Sequence, residues 1–511
     1  MRTCRQRRPQ RWARALTAVA LAASVTAALA VPGVTAPAGA ATAYPPGGPD
    51  QTPVMGFSGW SFLRLGADTA QIEGEASALV STGLAAAGYR YVNIDDGWYQ
   101  CPGPQGPNVD AYGRWVVNTA NYPDVGAENG IQALAAYVHG LGLKFGIYET
   151  PGISSQAVAQ NTPILGTSYT ADEIATTTAD NNYNCGGMVG INYSAPGAQA
   201  YVDSIVDELA SWGVDYIKLD GITNQNGPDV EAWQAAIQQS GRPMVLNITQ
   251  GSYTIKLAPV LKEYANQWEF APDIEINGPD EGSANSCNAP PYTGCLSVFP
   301  LTSYAHWKDR FADVATWEPY GGPGGFNDYD SIEVGDGSAN SGMSLAASQS
   351  QLSLWSLGSA PLILGSDLTS AVTNAYGTSS GLDPTDFKLL TNQQVIKVDQ
   401  DAIDAARIAI TGTPGSKPGD QVFAKVEPCG DAIVGLFNTT TKLSSSPVTI
   451  TTTAAAIGLP ADPDGYLVQD LWGGQSVVVG GQTRFDISSA GTISATVPAE
   501  GVALYRVTPL P

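Results

Sequence analysis

Short apolar runs alternate with longer amphipathic stretches from residue 54 to residue 364, and this alternation sets the expected fold. Eight runs read as strands: residues 54–58, 91–95, 144–148, 216–220, 243–248, 267–272, 325–327 and 361–364. Helical periodicity runs through 69–87, 131–141, 198–212 and 230–240. Strand then helix, repeated about eight times, is the pattern of an α/β chain closing into a parallel (β/α)8 barrel, the TIM barrel architecture. A doubly wound open sheet is the alternative. It usually has a glycine-rich phosphate turn after its first strand, and Gly56-Phe-Ser-Gly59 is not one.

Beyond residue 402 the pattern changes. The last hundred residues are rich in Thr, Val, Ser and Gly, and short alternating runs at 431–437, 447–452 and 502–507 are broken by turn residues. This predicts an antiparallel β-sandwich domain over 403–511, following a barrel over 52–402. Residues 41–51 read as a Pro/Gly leader. Before it, six arginines between Arg2 and Arg14 precede an apolar run over 15–31, and Ala38-Gly39-Ala40 offers small residues for cleavage. That is the pattern of a secretory signal peptide over 1–40, too short for a convincing membrane span.

The strand 216–220 carries a chemical oddity. Side chains alternate along a strand, so Lys218 and Asp220 share one face while Ile217 and Leu219 share the other. Buried charges are costly unless paired or used, so this is either a structural ion pair or part of a catalytic site. In a (β/α)8 barrel the site lies at the C-terminal strand ends. The polar residues there are Trp60, Asp95, Asp96, Tyr148, Lys218, Asp220, Asp273, Asn327, Asp328 and Asp330. Carboxylates accept hydrogen bonds from hydroxyls, aromatic faces suit the apolar faces of sugar rings, and two carboxylates are the minimum for cleaving a glycosidic bond. Singly each is weak: Asp95-Asp96 can begin a loop, and Asp273 follows Pro272 as turn residues do.

Composition narrows the partners. The chain has a formal charge of −23, and without residues 1–40 it keeps 18 basic against 47 acidic residues, about −29. Nucleic acid and anionic membranes are poor partners for such a surface; a neutral carbohydrate fits. Nothing in the sequence marks a nucleotide, metal or flavin site, so no cofactor is expected, and the oligomeric state is not legible. The two histidines, His139 and His306, lack metal-ligand spacing, and His139 falls in a helical pattern. In an exported chain the wide cysteine spacing favours disulfides. Cys287–Cys295 flanks a Pro-rich loop, Cys101–Cys185 joins two loops, and Cys429 is left over.

Six segments then carry a resemblance. They are Thr52-Pro-Val-Met-Gly-Phe-Ser-Gly-Trp60, Gly88-Tyr-Arg-Tyr-Val-Asn-Ile-Asp-Asp-Gly-Trp98 and Gly142-Leu-Lys-Phe-Gly-Ile-Tyr148. Trp212-Gly-Val-Asp-Tyr-Ile-Lys-Leu-Asp220, Gly322-Pro-Gly-Gly-Phe-Asn-Asp-Tyr-Asp330 and Ala360-Pro-Leu-Ile-Leu-Gly-Ser-Asp367 follow. In this order they resemble glycoside hydrolase family 27, the α-galactosidase and α-N-acetylgalactosaminidase group. The resemblance implies a retaining mechanism with Asp220 as nucleophile and Asp273 as general acid/base. It also implies that Trp60, Asp95, Asp96, Tyr148, Cys185, Lys218 and Asp330 line the sugar pocket. Lys218 is expected to keep Asp220 ionised, and a less polar setting to keep Asp273 protonated.

The departures from the family fall close to the chemistry. Leu219, Gly221 and Ile222 replace its Tyr, Asn and Cys around the nucleophile, which removes the usual partner of Cys185 and directs it to Cys101. Gly97-Trp98 replaces Cys-Trp. Glu269 stands where the family has an arginine near the sugar 2-hydroxyl, an acceptor in place of a five-donor cation. The expected activity is an exo-acting α-galactosidase. Isomalto-dextranase and β-L-arabinopyranosidase activities are alternatives within the same fold, and a non-catalytic carbohydrate-binding protein is the alternative outside it.

Overall fold

The computed structural model describes residues 51–275, 300–369, 381–408, 419–441, 446–460, 462, 464–473, 476–479 and 491–510. Eight parallel strands follow one another in chain order around a barrel. They are β1 (Met55–Ser58), β2 (Tyr91–Asn93), β3 (Lys144–Glu149), β4 (Tyr216–Ile222), β5 (Val245–Gln250), β6 (Gln267–Glu269), β7 (Phe326–Asp328) and β8 (Leu362–Leu364). β1 pairs with both β2 and β8. Between β7 and β8 the ring closes through a parallel bridge from Ile332, just beyond β7, to Leu364. Ile332 N–H donates to Ile363 O at 2.7 Å and Gly365 N–H to Ile332 O at 2.9 Å.

Alternation along each strand sorts the residues into two cores. Ile217 and Leu219 of β4 face the helices and join the main apolar core, while Tyr216 turns inward. There it meets Val54, Tyr91, Val245 and Ile363 as the apolar floor of the barrel, with Tyr91 and Tyr216 edge to face at 5.9 Å. Above the floor the interior becomes polar. Tyr216 donates to Gln267 at 3.3 Å, and Asn247 donates to Asp328 at 2.7 Å. Gly146 in β3 leaves room for this layer, because a Cβ there would overlap the side-chain oxygen of Asn93. An apolar floor beneath a polar upper layer leaves the C-terminal end as the face for chemistry.

The helices depart from the sequence pattern where backbone chemistry intervenes. The run 69–87 is two helices, Thr69–Thr82 and Leu84–Ala87, because Gly83 adopts φ 93° between them. Asp68 starts the first with a capping box to Gln71. His139 lies in the helix Gly130–Gly140, where its ring shares a 2.8 Å hydrogen bond with Asp215. β5 begins at Val245 and not at Pro243, which has no N–H to offer the ladder.

The C-terminal part forms a six-stranded antiparallel sheet facing a two-stranded one, Val448–Thr453 with Thr492–Val497. In the strand Asp420–Val426, Val422 and Ala424 point into the sandwich, while Phe423 and Lys425 point at the barrel. Lys425 is fully buried there. It donates to Val398 O at 2.5 Å, Asp401 at 2.7 Å and Ile403 O at 2.9 Å. Among the described residues no helix is long and apolar enough to cross a membrane.

Candidate active site

The pair that opens the site comes from β4. Lys218 and Asp220 share the inward face, as alternation requires, and Lys218 Nζ donates to Asp95 Oδ2 at 2.7 Å. Asp95 lies two residues past the end of β2, so this bond ties the ends of two strands. Lys218 also lies 6.0 Å from the centre of the Tyr148 ring. Burial works against the ammonium, but Asp95 and Asp220 beside it raise its pKa well above the usual value.

Asp220 sits on a bulge. The β4–β5 register slips between Leu219 and Ile222, and Gly221 adopts φ 76°, a conformation that side-chain-bearing residues rarely take. Its N–H donates to Asp220 Oδ1 at 2.6 Å, and its carbonyl accepts from Asn181 at 2.9 Å. The bulge turns the end of β4 so that Asp220 faces the mouth of the barrel. Burial raises the Asp220 pKa to about 7 against the pull of Lys218. Lys218, whose ion-pair partner is Asp95, favours the ionised Asp220 as expected, but in the free site burial outweighs it.

Asp273 follows β6 and lies open at the mouth. The surrounding protein, and then Glu275, raise it to about 6. Both carboxyls of the pair are thus raised above the usual carboxylate range in the free site. Asp330 stands beside Asp273. Its backbone has φ 79°, and its carboxylate accepts from Ile274 N–H at 2.6 Å and Ser331 N–H at 2.5 Å. Carboxylate oxygens of Glu269, Asp273 and Asp330 lie within 4.8 Å of one another.

On the far side, Asp96 accepts from Tyr99 at 2.6 Å, from Gly97 N–H at 2.7 Å and from Asn184. Burial, only partly offset by these donors, raises its pKa to about 6. Tyr148 is fully buried with its hydroxyl unpartnered among the described residues. Trp60 opens the segment after β1, with the Arg64 guanidinium 5.0 Å above its ring. A disulfide joins Cys101 to Cys185 and pins the loop that carries Asn182 and Asn184. Cys429, expected to be left over, is itself disulfide-bonded. Cys287 and Cys295 lie outside the described residues.

Two strand-end residues do other work. Asn327 faces outward, accepting from Trp268 Nε1 at 2.8 Å and donating to Asp404 at 2.9 Å, so its role is structural. Asp328 faces inward to Asn247. Other residues near the site carry no sequence signal of their own. Ser61 Oγ lies 2.9 Å from Glu275 Oε1 and 2.7 Å from Glu333 Oε1, behind Asp273 and Asp330. One hydroxyl has one proton to share between them, and burial raises the pKa of both carboxyls. Tyr183, largely exposed, stands near Asp220, Asp273 and Glu269. Only the aromatic and carboxylate composition of these loops hinted at them.

The chain is similar to known proteins along most of its length. The model described as "Alpha galactosidase A" matches residues 71–185 and 297–401, and that of the "Alpha galactosidase C-terminal beta sandwich domain" matches 418–507. An α-galactosidase of Cyamopsis tetragonoloba is 30% identical over 469 residues, covering 90% of this chain and 87% of its own. An α-N-acetylgalactosaminidase of Gallus gallus is 27% identical over 447 residues, covering 84% and 88%. Among solved structures, a GH27 β-L-arabinopyranosidase from Geobacillus stearothermophilus superposes with a TM-score of 0.72 at 24% identity, covering 90% of this chain and 98% of its own. The α-galactosidase I of Mortierella vinacea gives 0.63 at 24% identity, with the same coverage. The barrel, its sandwich partner and the sequence similarity agree, and the chain belongs to the α-galactosidase family of glycoside hydrolases, family 27, and is a glycosidase.

Proposed function

We propose that the protein is a secreted, exo-acting, retaining hydrolase of terminal α-galactosyl residues on oligo- or polysaccharides. The observation that carries this reading is the placement of two carboxylates at one barrel mouth, Asp220 on its β4 bulge and Asp273 just past β6 beside Asp330. Asp220 attacks the anomeric carbon while Asp273 protonates the leaving oxygen. Asp273 then takes a proton from the water that displaces the sugar from Asp220. Asp95, Asp96, Tyr148, Trp60 and Asp330 hold the ring. Lys218, fixed by Asp95, lends positive charge to Asp220 as it ionises.

The α-galactosyl reading is supported by the α-galactosidases among the relatives. Glu269, at the family's arginine position, keeps β-L-arabinopyranoside and isomalto-dextran as the second reading. Export is supported by the basic head and apolar run of residues 1–40 and by the Cys101–Cys185 disulfide. The domain limits remain those read from the sequence, 52–402 and 403–511, with the sandwich as a buttress. A panel of p-nitrophenyl glycosides plus dextran tests the substrate. Release from dextran with none from α-galactoside would sink the first reading. Proton NMR of the first-formed anomer tests the stereochemistry, since a non-catalytic protein or an inverting enzyme gives no retained product.

A further inference from the structure

The loop from Asn181 to Cys185 is anchored at every residue but one. Asn181 donates to the carbonyl of Gly221, next to Asp220, at 2.9 Å, and its Cβ fills the space a side chain on Gly221 would need. Asn182 donates to the Tyr99 hydroxyl at 2.9 Å and accepts from Cys185 N–H at 2.9 Å. Asn184 donates to Asp96, and Cys185 is tied to Cys101 by the disulfide. Tyr183 is the residue left over. It is 52% exposed, and it makes no hydrogen bond or ring contact among the described residues. Tyr137, the other exposed large aromatic side chain among them, lies on the helix Gly130–Gly140 and shares a 2.8 Å hydrogen bond with Ser77. A single exposed aromatic side chain is ordinary on a protein surface. What sets Tyr183 apart is its place.

That place is the mouth of the barrel. Partial burial, then the charges of Asp220, Asp273 and Glu269, raise the pKa of its phenol, so the ring stands near the ends of β4 and β6 together. The residues that would hold the reacting sugar, Asp95, Asp96, Tyr148 and Asp220, are buried. A terminal sugar among them presents its anomeric oxygen to Asp273, which lies open at the mouth. Whatever that oxygen carries therefore runs outward to solvent. Tyr183 is close to the same two carboxyls yet half in solvent, which puts it on that outward side. An aromatic face suits the apolar face of a sugar ring, and a tyrosine on an anchored loop gives up little freedom when it stacks.

Resting on the retaining reading above, we propose that Tyr183 is the stacking platform for the sugar ring on the leaving-group side, so that the site recognises a disaccharide unit and not a terminal sugar alone. The test compares kcat/KM for galactosyl-α-1,6-glucose with that for α-galactosyl fluoride, whose leaving group is too small to stack. Isomaltose and α-glucosyl fluoride take their place if dextran proves to be the substrate. The disaccharide-to-fluoride ratio should fall at least about fivefold in Tyr183→Ala and stay within about twofold of the wild type in Tyr183→Phe, which keeps the aromatic face. Calorimetry on the Asp220→Asn variant makes the same comparison without turnover. There, adding Tyr183→Ala should weaken the disaccharide at least about fivefold more than the methyl α-glycoside of the same terminal sugar. A ratio unmoved by Tyr183→Ala, or lowered as far by Tyr183→Phe, would overturn the proposal while wild-type turnover leaves the hydrolytic reading standing. A Tyr183-dependent binding ratio without turnover of any glycoside by the wild type would sink the hydrolytic reading and leave the platform intact.

Discussion

Lys218 reaches past β3 to Asp95, donating at 2.7 Å, and so pairs with the end of β2 rather than with Asp220 two positions along its own strand. The Asp95 side chain is almost wholly buried and the Lys218 side chain is one-quarter exposed. Replacing Lys218 with Met leaves Asp95 as an uncompensated buried charge and removes the positive charge beside Asp220. Breaking a buried pair costs about 3 kcal/mol, so the Lys218→Met variant should melt several degrees lower. Its kcat/KM should fall by at least about a hundredfold. Wild-type kinetics in this variant would remove Lys218 from the site.

The acid–base pair makes a prediction about pH. Asp273 is raised to about 6 and Asp220 to about 7. Turnover needs a proton on one and none on the other, so kcat/KM should follow a bell limited by two apparent values near 6 and 7. Both belong to the coupled pair. A plateau extending from pH 5 to 8 would contradict this assignment.

Stability should also depend on pH, for a separate reason. A carboxyl whose folded pKa exceeds its unfolded value of about 4 favours folding at low pH, and this contribution fades as pH rises through the folded value. Asp96 and Asp330 are raised to about 6 and Asp220 and Glu275 to about 7, each first by burial, and Asp273 is raised to about 6 by the protein around it and by Glu275. The folded chain thus binds more protons than the unfolded chain between about pH 4 and 7. The melting temperature of the ligand-free protein should therefore fall from about pH 5 to 8, and a rise over that range would be the contrary result.

The Cys101–Cys185 disulfide closes a loop between residues 84 apart and holds the turn from which Asn184 donates to Asp96 and Asn182 bonds Tyr99. Opening it should cost about 4 kcal/mol through the unfolded chain and loosen one wall of the pocket. The Cys101→Ala/Cys185→Ala variant should melt lower and show a raised KM with a smaller change in kcat. Thermal melts and steady-state kinetics on the double variant check both.

The strand order was legible because buried parallel strands are short apolar runs, and eight of them separated by helical patterns leave few alternatives. Their ends were less so. The sequence run 216–220 continues through Gly221 to Ile222 because a left-handed glycine permits a bulge, and periodicity alone does not register one. Lys218 and Asp220 could be put on one face by counting, yet the partner of Lys218 is a residue 123 positions away. The same distance hid the link between Ser61 and Glu333, 272 positions apart. Asn327 failed in the opposite way. It stands in the run of strand-end polar residues, but β7 turns its side chain outward to Trp268 and Asp404. The three-stranded sheet of Ile153–Ser154, Ala175–Asp180 and Met188–Ile191 was missed because its edge strand Ala175–Asp180 is threonine-rich and half exposed.

The bulge at Gly221 and the mouth around Asp273 converge on a single claim, that Asp220 forms a covalent bond to the sugar. Disabling the acid/base as Asp273→Gly and supplying an aryl glycoside with a good leaving group should let the glycosyl–enzyme accumulate. Mass spectrometry of its peptic peptides should find one sugar on Asp220, lost on adding azide with release of a retained glycosyl azide. A sugar on any other residue, or turnover with inversion and no adduct, would contradict the account.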